Sequence, residues 1–222
     1  TMKWDDVVGL GEMMNFPGIL GGEENAQHEV GETLKAGKCV TGHYSISETD
    51  RGLNAYIASG VRACHECITA DDVMAKLRMG MYVQARYGSA WLSLPNYLPQ
   101  VLESGVDTRL IILCTDDNHP NTLVNEGGMD RALRAVLGCG CDPVTALQFA
   151  TINAAQCLGV DQDMGSITPG KCADMVILPD LESFVPEQVY IDGDLVAQGG
   201  KATFDHELFE WPDFMTHTMN VG

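Results

Sequence analysis

Positive charge is scarce in this 222-residue chain: 13 Lys and Arg stand against 31 Asp and Glu, a formal net charge of −18. Such a surface repels phosphates, which excludes nucleic acid as a partner and leaves small neutral ligands unaffected. Long hydrophobic runs are missing as well. No apolar stretch approaches the ~18 residues that span a bilayer, and the first residues turn acidic at Asp5-Asp6 without the apolar core of a secretory signal. Neither a membrane nor export is therefore expected. The eight cysteines lie mostly in apolar segments, where a free thiol behaves as a small hydrophobe. Without an export signal they point to a reduced cytoplasm rather than a disulfide framework. Cys64-x-x-Cys67 with Cys139-x-Cys141 makes a poor thiolate zinc site, because the second pair is too closely spaced.

What is present is an alternation of short apolar strands and helical stretches, the mark of βα units around a parallel sheet. Strands are expected over residues 6–12, 38–43, 61–66, 81–86 and 109–115, the last continuous and apolar as a strand buried on both faces should be. Helices are expected over 23–35, 53–59, 69–79, 94–103, 129–137 and 144–158. Thr69 with Asp72 makes a capping box for the third of these, and Asp142-Pro143 is a cap followed by proline at the first helical position of the last. Beyond Gly165 the texture changes. Residues 173–178 and 188–196 read as antiparallel strands, with Asp192-Gly193 as a tight turn.

The chemistry-bearing residues fall at one kind of place. Glu12, His43, His65 with Glu66, and Asp116 with Asp117 all end predicted parallel strands. In a βα barrel those ends converge on one mouth, where active sites lie. Each residue alone has a plain structural reading as a satisfied histidine, a surface carboxylate or a turn-forming aspartate. Jointly they suit a divalent cation that activates water.

Here a resemblance becomes specific. Gly9-Leu10-Gly11-Glu12-Met13-Met14-Asn15, Gly42-His43, Cys64-His65-Glu66-Cys67 and Leu113-Cys114-Thr115-Asp116-Asp117 resemble segments of the adenine deaminase family, a branch of the amidohydrolase superfamily. Ala150-Thr151-Ile152-Asn153-Ala154-Ala155 and the run Gly165 to Asp174 resemble general amidohydrolase signatures. The resemblance implies an α/β fold, a partial TIM-like (β/α) barrel carrying strands four to eight with a small β appendage. It implies the C-terminal part of the barrel in 1–164, a β-sandwich-type appendage in 165–204, and a tail or linker to an absent further domain in 205–222.

The activity so implied is hydrolytic deamination of adenine to hypoxanthine and ammonia by a metal-activated hydroxide. Glu12, His43, His65 and Asp116 would be metal ligands, Asp116 also the proton shuttle, and Glu66 the acid toward the ring nitrogen or, alternatively, the group that orients His65. Arg86 and His119 are weaker candidates for substrate contact. The cofactor would be divalent metal, two ions of Mn, Fe or Zn in the intact site. Relatives take further ligands from a His-x-His pair, yet none of the six histidines (28, 43, 65, 119, 206, 217) is so spaced. The expected partners are a purine base and either further copies of the chain or a complementing N-terminal barrel half. Two other readings stand beside this one: another amidohydrolase reaction such as cyclic amide hydrolysis, and a non-catalytic fragment acting as an assembly module.

Overall fold

A computed structural model describes residues 1–205, 210–216 and 218–219. Five strands form one parallel sheet: β1 (Gly9–Met13), β2 (Cys39–Gly42), β3 (Ala63–Cys64), β4 (Tyr82–Arg86) and β5 (Ile111–Cys114). Between them run α1 (Phe16–Gly21), α2 (Glu24–Lys35), α3 (Arg51–Ala58), α4 (Ala70–Arg78) and α5 (Leu94–Glu103). After β5 come α6 (Pro120–Asn125), α7 (Met129–Gly138), α8 (Pro143–Ala150) and α9 (Ile152–Leu158). Spatial order equals chain order. A doubly wound sheet reverses its order at a switch point; this sheet steps always to the same side, the strand succession of a TIM-like barrel.

The period of two along each strand sorts its side chains between two faces. Val40, Cys64, Val83, Ala85, Ile111 and Leu113 are buried against the helical layer, in clusters with Val30 and Tyr56 on one side and with Leu98, Val136 and Phe149 on the other. The alternate residues Cys39, Ala63, Tyr82 and Ile112 form a third cluster with Cys157. Counting on by twos from those four leads to His43, His65, Arg86 and Asp116. Of these only Arg86 lies within its strand; the other three follow strand ends, and their side chains meet it at one rim.

Local chemistry sets the helix ends as expected. Thr69 accepts from the Asp72 N–H at 3.2 Å, and the Asp142 carboxylate accepts from Val144 and Thr145 at 3.0 and 3.1 Å. Several boundaries differ from the expectation. The first strand begins at Gly9 rather than residue 6, the third shrinks to Ala63–Cys64, and a 3-10 turn, Thr108–Leu110, precedes β5. The helix expected over 144–158 is two helices broken at Thr151, where φ is −125° and ψ −95°. That turn lets the buried Asn153 amide donate to the Ile111 carbonyl at 3.0 Å, tying α9 to the start of β5. Helices α1 and α6 were not anticipated. Each is capped by its own side chain: Asn15 accepts from Gly18 N–H at 3.0 Å, and His119 Nδ1 from Asn121 N–H at 3.3 Å.

A second sheet is antiparallel, in the order β6 (Met175–Ile177), β7 (Gln188–Ile191), β8 (Asp194–Gln198) and β9 (Lys201–Ala202). The anticipated Asp-Gly turn is present: Asp192 and Gly193 have φ of 51° and 87°, the positive pair that a two-residue hairpin demands. Phe184, between β6 and β7, is buried in the main cluster and anchors this segment to the helices. His206 and His217 lie outside the described residues. Among the described residues no helix is long and apolar enough to cross a membrane.

Phe149 is fully buried where α8 meets α7 and β5. Phe149→Ala should lower unfolding stability by about 3–5 kcal/mol through lost burial and a residual cavity, measured by urea denaturation.

Candidate metal centre

Four strand ends deliver the acids and imidazoles to one place. His43 Nδ1 and His65 Nε2 are 3.0 Å apart. Glu12 reaches both, Oε2 to His65 Nε2 at 3.2 Å and Oε1 to His43 Nδ1 at 3.7 Å. His65 Nε2 also lies 3.6 Å from Asp116 Oδ2 and 3.7 Å from Glu66 Oε1. Two ligand-capable triads result, Glu12–His43–His65 and His65–Glu66–Asp116, sharing His65. A tetrahedral ion with bonds of 2.0–2.1 Å sets its donor atoms ~3.3 Å apart. His65 Nε2 stands 3.0 Å from His43 Nδ1 and 3.2 Å from Glu12 Oε2, close to that value, and imidazole nitrogen with carboxylate oxygen suits zinc, iron or manganese. The residues fit a divalent cation.

Burial pushes the His65 pKa below its ordinary value, against the opposing pull of Glu12 and Asp116. A neutral ring keeps a lone pair free for a metal. Asp116 sits at φ 57°, in the left-handed region that non-glycine residues seldom enter, just beyond β5. Such strain gathers at functional sites and is held by its surroundings.

Those surroundings are specific. The Tyr56 hydroxyl donates to the Met13 carbonyl at 2.5 Å and accepts from the His43 N–H at 3.1 Å, so α3 ties the ends of β1 and β2 together. Gly42 is required beneath it, since a Cβ there would stand 2.3 Å from the Tyr56 oxygen. Lys76 is fully buried below Glu66. Its ammonium donates to Asp72 Oδ1 at 2.7 Å and to the Glu66 carbonyl at 2.6 Å, with Cys67 Sγ at 3.6 Å. This fixes the backbone that carries His65 and Glu66.

Arg86, 4% exposed, lies between two carboxylates: Nη1 is 2.8 Å from Glu66 Oε1 and 2.5 Å from Asp116 Oδ2. The Trp91 ring covers its guanidinium, centroid 5.0 Å away. Asp117 pins the loop bearing Trp91, accepting from the Ala90 N–H at 2.5 Å, while its backbone carbonyl takes the Ser89 N–H at 2.7 Å.

The sequence expectation named Glu12, His43, His65, Glu66, Asp116 and Arg86, and all six meet here. His119 does not join them: its ring caps α6 on the exposed side of the loop. Arg86, a weaker candidate for substrate contact that also reads as a structural neighbour of the site, is buried with Nη1 engaged by the two acids. Tyr56, Lys76 and Trp91 were missed. Only Lys76 left a signal, its i,i+4 spacing from Asp72. Among the described residues no ligand-capable group contains a cysteine.

An amidohydrolase family model matches residues 96–196. An adenine deaminase of Clostridium botulinum (strain 657 / Type Ba4) is 51% identical over 221 residues, and one of Paracoccus denitrificans is 43% identical over 222. Each match takes in all of this chain and 37% of the relative's length. Among solved structures, an N-acetylglucosamine-6-phosphate deacetylase from Pasteurella multocida superposes with a TM-score of 0.61 at 18% identity, covering 82% of this chain and 55% of that one. An adenosine deaminase from Xanthomonas campestris with bound zinc gives 0.54 at 16% identity, covering 86% and 51%. These structural likenesses show a common fold.

Two substitutions test the supports. Tyr56→Phe strands the Met13 carbonyl and the His43 N–H, and should lower stability by about 1–3 kcal/mol in urea denaturation. Arg86→Met leaves Glu66 and Asp116 facing each other without their shared cation, and should cost on the order of 3 kcal/mol in the same measurement.

Proposed function

Because this chain is, along its whole length, a relative of adenine deaminases in the amidohydrolase superfamily, spanning 37% of their length, we propose that it forms the C-terminal part of a hydrolase that converts adenine and water to hypoxanthine and ammonia. The observation that carries the reading is the convergence of Glu12, His43, His65 and Asp116, with Glu66, on one rim of a parallel sheet.

In this reading β1 to β5 are strands four to eight of a (β/α)8 barrel within residues 1–164. Residues 165–204 are its β appendage, and 205–222 lead toward a further domain. Glu12, His43, His65 and Asp116 hold divalent metal, with two ions of Mn, Fe or Zn in the intact site. A cation so held lowers the pKa of water and supplies a nucleophile at neutral pH.

The chain's own residues do the rest. Asp116 takes the proton of the attacking water and delivers it to the amine leaving C6. Glu66 gives a proton to the adjacent ring nitrogen, so that the ring accepts the electron pair during attack, and it regains a proton from the C6 hydroxyl as the carbonyl forms and ammonia leaves. Arg86 holds both carboxylates toward the centre, which supports the structural part for it over the weaker substrate-contact reading. His119, turned into its capping role, has no support as a substrate contact.

The His-x-His ligands of relatives are not within this chain. The sheet ends at β1 on one side and β5 on the other, each with one strand partner among the described residues. Unpaired edges invite pairing with another chain or segment. The reading therefore assigns the missing strands and ligands to an N-terminal barrel half. The eight free thiols support a reducing compartment such as the cytoplasm.

An ammonia-release assay tests this. The intact protein loaded with metal should deaminate adenine, and Asp116→Asn or Glu66→Gln should each lower kcat by about 10²–10⁴-fold. The 222-residue chain alone should release little or no ammonia. Turnover of dihydroorotate or hydantoin in place of adenine would transfer the assignment to the cyclic amide hydrolases.

A further inference from the structure

Beside the acid cluster, sharing Glu66 with it, lies a small groove of about 160 Å³. Its walls come from the loop after β2, the segment between β3 and α4, and the first turn of α4. Two of the lining residues are aliphatic and strongly exposed, Ile46 at 42% and Ile68 at 55%. Both sit beside residues whose placement is secured. Tyr44, two positions before Ile46, is buried with its hydroxyl donating to Glu48 at 2.8 Å. Thr69, next to Ile68, caps α4. The isoleucines are thus held out over the groove by anchored neighbours, where water gives no reason to keep them. Glu66 lines the groove and also reaches the metal-capable cluster, its Oε1 3.7 Å from His65 Nε2.

The dimensions and charge of the groove select its occupant. Pockets for drug-sized ligands begin near ~300 Å³, so this one suits a single small ring system and not a ring with sugar and phosphate. Glu66, Asp71 and Asp72 line it, and among its described lining residues none is basic. An anionic ligand would be repelled. The hydroxyls of Ser45, Ser47 and Thr49 offer donors and acceptors for the edge of a polar heterocycle.

We propose that Ile46 and Ile68 are the specificity-determining residues of the substrate subsite, gripping the two faces of a neutral free base whose ring-nitrogen edge meets Glu66. The inference rests on the deaminase reading and assigns the base-binding walls that the reading leaves open. A planar ring between two aliphatic side chains gains burial on both faces, and that gain is made in the ground state and the transition state alike. Removing a wall should then raise KM and leave kcat little changed.

The test uses the intact metal-loaded enzyme with Ile46→Ala, Ile68→Ala and the double variant. Each single substitution should raise KM for adenine about tenfold or more, and the double variant further, with kcat held within about threefold. The inhibition constant of hypoxanthine should rise in parallel, and bound metal measured by elemental analysis should match wild type. Adenosine monophosphate should neither be turned over nor compete. Wild-type KM and hypoxanthine inhibition in the double variant, with adenine turnover intact, would overturn the groove assignment alone. An intact wild-type enzyme that turns over no adenine would overturn the deaminase reading and the groove with it. Loss of metal from the variants would also overturn the assignment, because the isoleucines would then be acting on the cluster and not on the base.

Discussion

Successive side chains of a β-strand point to opposite faces, and parallel strands aligned in register carry that alternation across a whole sheet. The molecule depends on this. One face of β2 to β5 is aliphatic and packs on the helices. The other begins with a layer of Cys39, Ala63, Tyr82 and Ile112 and ends at a rim of His43, His65, Arg86 and Asp116. A shift of one residue in any strand would bury a charged rim group against the helices and turn an aliphatic residue toward the inner face. The core and the metal-capable cluster are therefore specified by the same periodicity.

The rim assembles three carboxylates around two imidazoles, and such a collection is costly without compensation. The chain has few cations to spend, 13 against 31 acidic residues, and it places two of them where repulsion is greatest. Arg86 joins Glu66 to Asp116 at the rim. Lys76, buried one level lower, holds the Glu66 carbonyl together with Asp72. Both cations are covered, Arg86 by the Trp91 ring and Lys76 by α4 and the β3–α4 segment. Neutral supports complete the frame: the Tyr56 hydroxyl joins two strand ends with two hydrogen bonds, in a cluster of aromatic rings with Phe16 and Tyr44.

Much of this was legible in the sequence. Five strands, their order of appearance, the Asp-Gly hairpin and the caps at Thr69 and Asp142 rest on local rules: apolar alternation, turn chemistry and side-chain capping. Local rules misplaced what long-range contacts decide. The break at Thr151 goes with a bond from Asn153 to the Ile111 carbonyl, some forty residues away. Helices α1 and α6 are too short for periodicity to reveal, and each is held by a single capping side chain and by packing. Boundaries shifted at β1 and β3, where ladder pairing with the neighbouring strand, not composition, decides which residues are extended.

For the site, the chain by itself determined which groups are available: strand ends carrying Glu12, His43, His65, Glu66 and Asp116, in an order that a parallel sheet brings to one rim. Tertiary structure alone decided which of them touch, that Arg86 belongs to the two acids while His119 caps a helix, and that Tyr56, Lys76 and Trp91 hold the arrangement. The physical reason is range. Strand direction and side-chain parity follow from neighbouring residues, whereas a hydrogen bond such as that from Tyr56 to Met13, forty-three positions apart, exists only once the sheet and helices have packed.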